Sequence, residues 1–192
     1  MQRKIERDVA LERAFEVFWQ HGYRGTSMEM LTAEIGVEKP SIYATFGNKH
    51  ALFLAALRHY RTWLMDFVEQ TLEKAPSPRA GIERIVTALM MPRVRSGRPG
   101  CFAANTALEL SDEDDLVKAE VDAAFAAIIK RLADEIRTAQ AQGEVRKDVP
   151  AHMLAKLLMC TIEGVRVLEK TSTPLNDYKA LSALALSVLD AA

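Results

Sequence analysis

The stretch from Thr26 to Lys49 constrains the fold most, because it carries the signals for two short helices and the turn between them. Thr26, followed three residues later by Glu29, has the form of a capping box that starts the first helix. Gly36 follows that helix, where a left-handed residue ends it. Pro40 falls in the first turn of the second helix, where a missing amide hydrogen does no harm. Two helices joined at this spacing form a helix-turn-helix.

The second helix of this motif keeps polar side chains on the face opposite its apolar residues. In a helix-turn-helix, that helix enters the major groove of DNA. Hydroxyls, ammonium groups and helix N-termini hold phosphates, whereas side chains in the groove contact base edges. Lys39 and Ser41 are the expected base-edge residues. The DNA-binding residues predicted in this way are Thr26, Ser27, Lys39, Pro40, Ser41, Tyr43, Thr45 and Lys49.

The charge balance of the motif leaves two interpretations open. The chain has a formal net charge of −1, and its first 50 residues hold seven Lys/Arg and seven Asp/Glu. DNA affinity depends on neutralising phosphates. A neutral N-terminal region, which we call the head, therefore predicts weak binding at high salt. One acid, Glu38, stands at the start of the second helix. The chain is therefore either a dimeric DNA binder with a few placed cations, or a helical ligand-binding protein whose head no longer recognises DNA.

Composition and periodicity predict an all-α fold of about nine helices. Of the 192 residues, 49% are hydrophobic and only 9 are glycine and 7 proline, with no strand-like alternation. Residues 93–100, RVRSGRPG, are predicted as a loop by their glycines, proline and charge. Apart from the two helices of the motif, helices are predicted over residues 3–21, 49–73, 79–91, 101–110, 111–142, 151–170 and 175–189.

The fourth helix predicts how the chain divides. It is too long to belong to the head alone, so it must continue into whatever follows. We therefore expect a helix-turn-helix DNA-binding domain over residues 1–47 and a ligand-binding and dimerisation domain over residues 48–192, linked by the helix at about 48–74.

The last two helices carry more apolar surface than one chain can cover. The helix over residues 151–170 is apolar on more than one face, and the helix over residues 175–189 repeats the pattern. A second copy of the chain would cover that surface in a four-helix bundle with two-fold symmetry. Cys160, in the middle of the first of these helices, is predicted to be a core residue.

The stretch GYRGTSMEMLTAEIGVEKPSIYATFGNKHALFLAAL, residues 22–57, resembles the DNA-binding region of TetR/AcrR-type transcriptional regulators. The resemblance implies an all-α homodimer whose last two helices form the interface. It also implies that Lys39, Ser41, Tyr43 and Lys49 occupy positions used against DNA. Ala44 and Thr45 depart from the common pattern and Glu38 adds a negative charge at the helix start, so no base preference carries over. The matching markers are Gly22, Thr26, Gly36, Val37, Tyr43, Phe46, Lys49, Leu52 and Phe53.

By the same resemblance, the protein is a repressor that leaves its operator when a small molecule binds among helices four to eight. Apolar and aromatic residues at helical spacing are also the ordinary content of a core, so that interpretation stays open for each of them. Polar residues on apolar helices are more informative, because buried polar groups need partners. The expected effector-binding residues are Trp63, Phe67, Met90, Phe102, Asn105, Thr106, Phe125, Met159 and Glu163.

Two interpretations are open for Cys101. It follows Gly100 at the start of a helix, where the dipole can lower a thiol pKa. The order Gly100, Cys101, Phe102 with Asn105 and Glu109 also resembles one branch of the family. Cys101 is either a sensor of electrophiles or oxidants, or a small packing residue.

Other function classes find little support. The four histidines form no metal-spacing pair, and no nucleophile elbow, phosphate loop or dinucleotide fingerprint is present, so we expect no metal, no cofactor and no enzyme. An all-α enzyme acting through Glu163 or Asp112 is a remote alternative. The first residues do not form a signal segment, and no apolar run reaches membrane length, so a cytoplasmic protein with reduced thiols is expected. Its expected partners are double-stranded operator DNA, a small-molecule effector and a second copy of itself.

Overall fold

The computed structural model describes residues 6–92, 100–171 and 174–190. Regular structure in these ranges is entirely helical, which confirms the all-α prediction. In the same ranges, no helix has the length and apolar character needed to cross a lipid bilayer. The helices are α1 Arg7–His21, α2 Met28–Ile35, α3 Lys39–Phe46, α4 Lys49–Glu73, α5 Pro78–Met90, α6 Phe102–Leu110, α7 Asp115–Gln142, α8 Ala151–Leu168 and α9 Leu175–Leu186, followed by a 3-10 turn over Ser187–Leu189.

Two helix starts differ from the sequence prediction. The N-cap of α2 is Ser27, whose hydroxyl accepts a hydrogen bond from the Met30 amide at 3.2 Å, so the expectation that Thr26 caps this helix was wrong. The helix α7 begins at Asp115 rather than at the predicted residue 111, because residues 111–113 form a turn, and Asp114 caps the helix. The Asp114 carboxylate accepts the Val117 amide at 3.0 Å. In both cases the residue that caps the helix lies slightly later in the chain than expected. Its side-chain oxygen accepts a hydrogen bond from a backbone amide of the first turn, as capping requires.

Other boundaries agree closely with their local signals. Asn48 caps α4, accepting the Ala51 amide at 2.8 Å. Gly36 ends α2 with a φ of 79°, in the left-handed region that favours glycine. Residues 3–5 of the first predicted helix, and residues 93–99 of the predicted loop, lie outside the described residues.

The chain divides into two compact units, and two helices run through both. Unit 1 comprises Met1–Trp63 with Phe102–Ala124, and unit 2 comprises Leu64–Cys101 with Phe125–Ala192. The helices α4 and α7 each begin in unit 1 and end in unit 2. Unit 1 therefore holds the helix-turn-helix together with α6 and the first turns of α4 and α7.

The core of unit 1 is a cluster of aromatic rings. The Phe102 ring lies 5.5 Å from Phe15 and 5.8 Å from Phe53, between centroids, and both contacts are edge to face. Trp19 and Tyr60 continue the cluster at 5.3 Å from each other. Contacts of this geometry add to the burial of the rings. They fix α1, α4 and α6 to one another beneath the helix-turn-helix.

In unit 2, α5 packs against both α8 and α9. Fully buried aliphatic residues such as Ile82, Ile85 and Leu158 fill this core. Arg79, at the start of α5, donates to the Glu144 carbonyl at 3.1 Å and pairs with Asp190 at 2.5 Å. One guanidinium thus holds the start of α5 to the chain segment before α8 and to the end of the described chain.

Candidate nucleic-acid interface and effector residues

The turn between α1 and α2 is built by five consecutive residues, from Gly22 to Thr26. Gly22 has a φ of 72°, and Gly25 is needed because a Cβ there would lie 2.3 Å from the His21 carbonyl oxygen. The Thr26 hydroxyl donates to the Gly22 carbonyl at 2.6 Å, and Thr26 is only 1% exposed. Its side chain therefore faces inward, and the structure contradicts the expected phosphate contact through that hydroxyl. Ser27, by contrast, is exposed.

The helix α3 exposes the polar face that the sequence analysis predicts. Ile42 is buried at 2% exposure, which anchors the helix, whereas Lys39, Pro40, Tyr43 and Thr45 are exposed and Ser41 is half-buried. The Thr45 hydroxyl donates to the Ser41 carbonyl at 2.9 Å, so its proton is used within the helix. Of the other polar side chains of this face, those of Lys39 and Tyr43 are exposed.

Two lysines of the predicted set lie over aromatic rings. Lys39 Nζ is 5.8 Å from the centroid of the Tyr43 ring, and Lys49 Nζ is 4.3 Å from the centroid of the Tyr23 ring. Burial lowers the pKa of Lys49, and the negative charge of Glu109 opposes that shift. A cation held over a ring keeps its position at modest energetic cost. Both ammonium groups are therefore oriented before any DNA binds.

A group of acids where α6 meets α7 contacts this region, and sequence reasoning did not identify its role. We call residues 109–114 the α6–α7 corner. Its Glu109 accepts the amides of Tyr23 at 3.0 Å and Arg24 at 2.6 Å, and its Glu113 pairs with the Arg24 guanidinium. The sequence prediction for this region was only that a helix starts at residue 111. The spacing of Gly22 and Gly25, which marks a tight turn, was the one signal that something approaches the backbone there.

A hydrogen bond between side chains joins the same corner to α4. His50 Nε2 lies 2.6 Å from Asp114 Oδ2, and both side chains are partly exposed. The hydrogen bond from the Val117 amide is the main cause that lowers the pKa of Asp114, and His50 adds to it. Asp114 thus caps α7 and contacts α4 with the same carboxylate.

The nine expected effector-binding residues fall into both units. Trp63, Phe102, Asn105 and Thr106 belong to unit 1, and the other five belong to unit 2. Phe102 is 1% exposed and packs against aromatic rings of its own unit, as an ordinary core residue does. Thr106, Met90 and Met159 are also buried. The half-buried members are Trp63, Phe67, Asn105, Phe125 and Glu163.

Glu163 is the most unusual of these residues. Burial raises the pKa of its carboxyl, while a hydrogen bond with Cys101 and the charge of Arg166 oppose that shift. One carboxylate oxygen, Oε2, is buried with no hydrogen-bond partner among the described residues. Arg166 is 5% exposed and donates to the Met91 carbonyl and the Glu169 carboxylate, both at 3.1 Å. Cys101 itself is 7% exposed.

The outer face of α8 carries apolar side chains that the described part of the protomer does not cover. Cys160 lies on this exposed face, so the prediction that it is a core residue was wrong. Gly164 is on the same helix, and a Cβ built there would meet no described atom within 4 Å. The exposed apolar residues of α8 and α9 are Met153 (49%), Leu157 (48%), Val167 (59%), Leu168 (39%) and Leu184 (69%).

Comparisons with known proteins agree with this architecture. The family described as "Bacterial regulatory proteins, tetR family" matches residues 10–56, and that described as "Tetracyclin repressor-like, C-terminal domain" matches residues 79–178. The HTH-type transcriptional regulator YezE of Bacillus subtilis is 31% identical over 99% of this chain and 100% of its own length. The HTH-type transcriptional repressor ComR of Escherichia coli is 27% identical over 95% of this chain and 88% of its own.

A solved structure is similar over the same length. It is a cysteine-substituted form of the TetR family transcriptional regulator CifR complexed with 26 bp operator DNA, with 30% identity and a TM-score of 0.86 over 99% of this chain and 100% of that chain. These relatives are transcriptional regulators rather than enzymes. The chain therefore belongs to the TetR family of bacterial regulatory proteins, which are DNA-binding transcriptional regulators.

Proposed function

We propose that this protein is a dimeric repressor that binds its operator through α3. It dissociates from the operator when a small molecule binds its effector and dimerisation domain. The observation that carries the proposal is the exposed polar face of α3 on a buried anchor, Ile42. In this proposal, residues 1–47 form the DNA-binding domain and residues 48–192 the effector and dimerisation domain, with α4 linking the two. The protein would act in the cytoplasm, without a catalytic role.

The proposed DNA contacts divide by chemistry. Lys39 and Ser41 contact base edges, because they lie at the start of the helix that enters the groove. Ser27 offers a hydroxyl at the N-terminus of α2, which attracts phosphate. Tyr43 and Lys49 contact phosphates from the other end of α3. Pro40 and Thr45 complete the surface by packing against the sugar-phosphate backbone.

The second copy would bind through the outer face of α8 together with α9. Exposed methionine, leucine and valine side chains on one helix face support this arrangement, because they gain free energy when a partner covers them. Two-fold pairing would place the recognition helices in successive major grooves, about 34–36 Å apart. Binding of the second half-site would then be intramolecular, and the resulting gain in overall affinity compensates for a neutral head.

The DNA-binding proposal is tested by titrating labelled duplexes with the protein and measuring fluorescence anisotropy. The first duplex is the DNA upstream of its own gene, and the control is a duplex of scrambled sequence. We expect specific binding at low salt, with affinity falling steeply as salt rises. Equal affinity for both duplexes at every salt concentration would support a head that no longer recognises DNA and contradict the proposal.

The proposed effector site centres on Glu163 in unit 2. A buried carboxylate oxygen that no described residue contacts by a hydrogen bond is costly unless a ligand supplies a donor. This supports an effector that carries an amine or another hydrogen-bond donor beside an apolar body. Met159, one turn earlier on α8, would contact that apolar body. Phe67 and Phe125 are half-buried members of the same unit and would complete the set.

Cys101 would make the same site responsive to electrophiles or oxidants. Its support is its position immediately before Phe102, at the N-terminus of α6, because a helix N-terminus lowers a thiol pKa. The test compares release from operator DNA by a mild electrophile in Cys101→Ser and Cys160→Ser variants. We expect Cys101→Ser to remain on DNA and Cys160→Ser to be released as the unaltered protein is. Release of both variants alike would assign Cys101 to packing alone.

A further inference from the structure

We infer that Glu109, outside the helix-turn-helix, is the positioning residue that holds the head in its DNA-binding pose. Its carboxylate oxygens accept the backbone amides of Tyr23 and Arg24, at 3.0 and 2.6 Å. These amides belong to the turn that leads directly to Ser27, the cap of α2. The inference rests on the proposed DNA binding and goes beyond it, because it identifies a residue of α6 that controls the pose of α2 and α3.

The turn is built to receive this carboxylate. A Cβ at Gly22 would lie 2.7 Å from Glu109 Oε2, so only glycine allows the acid to approach the backbone so closely. The φ of 72° at Gly22 is a second reason for glycine at the same position. The Thr26 hydroxyl closes the turn on the Gly22 carbonyl. Charge-assisted hydrogen bonds to backbone amides are stronger than neutral ones, and they orient the peptide units directly.

The other contacts of the α6–α7 corner are of a different kind. Arg24 pairs with Glu113 through side chains that are 57% and 65% exposed, where solvent screens the attraction and both groups keep other rotamers. Glu109 instead binds main-chain atoms, which have no alternative rotamer. The carboxylate of Glu109 therefore fixes the turn itself, whereas Glu113 only contacts a side chain that leaves it.

This arrangement couples the position of α6 to that of the turn within unit 1. The helix begins at Phe102, immediately after Cys101, and Glu109 lies in its last turn. Nine residues of helix span about 13 Å. A ligand that shifts or rotates α6 therefore moves the carboxylate away from the two amides and releases the turn.

The test is the isosteric variant Glu109→Gln. The glutamine oxygen accepts one amide, but its NH2 group faces the second N–H and cannot accept from it. We expect operator affinity to fall about tenfold, within the usual range of coupling between sites, with affinity for scrambled DNA and dimerisation unchanged. In the same variant, the Tyr23 and Arg24 amides should exchange faster with deuterium. The control, Glu113→Gln at the same corner, should stay within about twofold of the unaltered protein.

A second variant keeps the test valid if Glu109→Gln does not fold. Gly22→Ala displaces the carboxylate without removing it, and should cause the same selective loss of operator affinity. Equal affinity and slow Tyr23 and Arg24 exchange in the variants would overturn the inference. A proportional fall in affinity for operator and scrambled DNA would also overturn it, since that indicates a general structural role. Absence of specific binding by the unaltered protein would instead contradict the proposed function.

Discussion

The outer faces of α3 and α8 both leave side chains exposed, but the two sets differ in chemistry. The exposed residues of α3 include an ammonium group and a phenol, Lys39 and Tyr43, which remain well solvated without a partner. The face of α8 instead exposes Met153, Leu157 and Val167, about half of each side chain or more. Exposed apolar area costs roughly 25 cal/mol per Å² relative to burial. The polar face of α3 therefore suits a partner that binds reversibly, whereas the apolar face of α8 suits a partner that remains bound.

The glycines of the helix-turn-helix and of α8 also differ in their structural reason. Gly36 and Gly47 end α2 and α3 with positive φ, so backbone geometry explains them. Gly164 lies inside α8, where glycine weakens a helix by about 1 kcal/mol relative to alanine. No contact among the described residues explains it, because a Cβ there meets none of their atoms. A close approach by a second copy supplies the missing reason, and the predictions below test this contrast.

The largest effect is expected from a charge on the apolar face. Leu157→Asp should separate the dimer, because the carboxylate cannot be buried without a partner. Operator affinity should then fall at least about a hundredfold, since the two half-sites no longer bind together. Sedimentation velocity and anisotropy measure the two effects. Leu116→Asp is the matched control, because Leu116 is 62% exposed in the first turn of α7 and belongs to unit 1. A dimeric Leu157→Asp protein would show that another surface forms the dimer.

Substitutions that enlarge Gly164 distinguish effects on the folding of one protomer from effects on dimerisation. Gly164→Ala should favour the helix by up to about 1 kcal/mol, and Gly164→Leu should also be tolerated within one chain. If a second copy approaches there, Gly164→Leu should still weaken dimerisation strongly while helix content stays unchanged. The measurement is the dissociation constant of the dimer alongside circular dichroism. Unchanged dimerisation in Gly164→Leu would place the closest approach elsewhere.

A loss of operator affinity of intermediate size is expected from a substitution on the polar face of α3. Lys39→Ala should reduce operator affinity by about 1–3 kcal/mol and relax the preference at one base pair. Affinity for scrambled DNA should change much less, because a phosphate contact is not what is lost. Gln20→Ala, an exposed change on α1, is the control. If Lys39→Ala weakened both duplexes equally, Lys39 would contact phosphate rather than a base edge.

Local signals in the sequence predicted most of the fold, and their failures have a common cause. Pro40 and Gly36 act within one helical turn, so the helices they bound were correct. Cys160 was misplaced because periodicity shows how much of α8 is apolar but does not show which of its faces a single chain covers. The contact of Glu109 with the turn was missed because its partners lie 85 and 86 residues away and are backbone atoms, which leave no side-chain signature. Long-range contacts to the main chain are therefore the component of such a site that needs the structure.

The smallest expected effect concerns Lys49, which contributes charge rather than recognition. Lys49→Met keeps the apolar packing over the Tyr23 ring and removes one cation. Binding should weaken equally on operator and scrambled DNA, and the slope of log affinity against log salt should fall by about 1. Burial lowers the pKa of Lys49, so this cation loses its proton at a lower pH than an ordinary lysine. As the pH rises into the alkaline range, the unaltered protein should therefore lose this part of its salt dependence first and approach the variant. The control is Lys147→Met, an exposed lysine in unit 2, and a pH-independent difference between Lys49→Met and the unaltered protein would contradict this role.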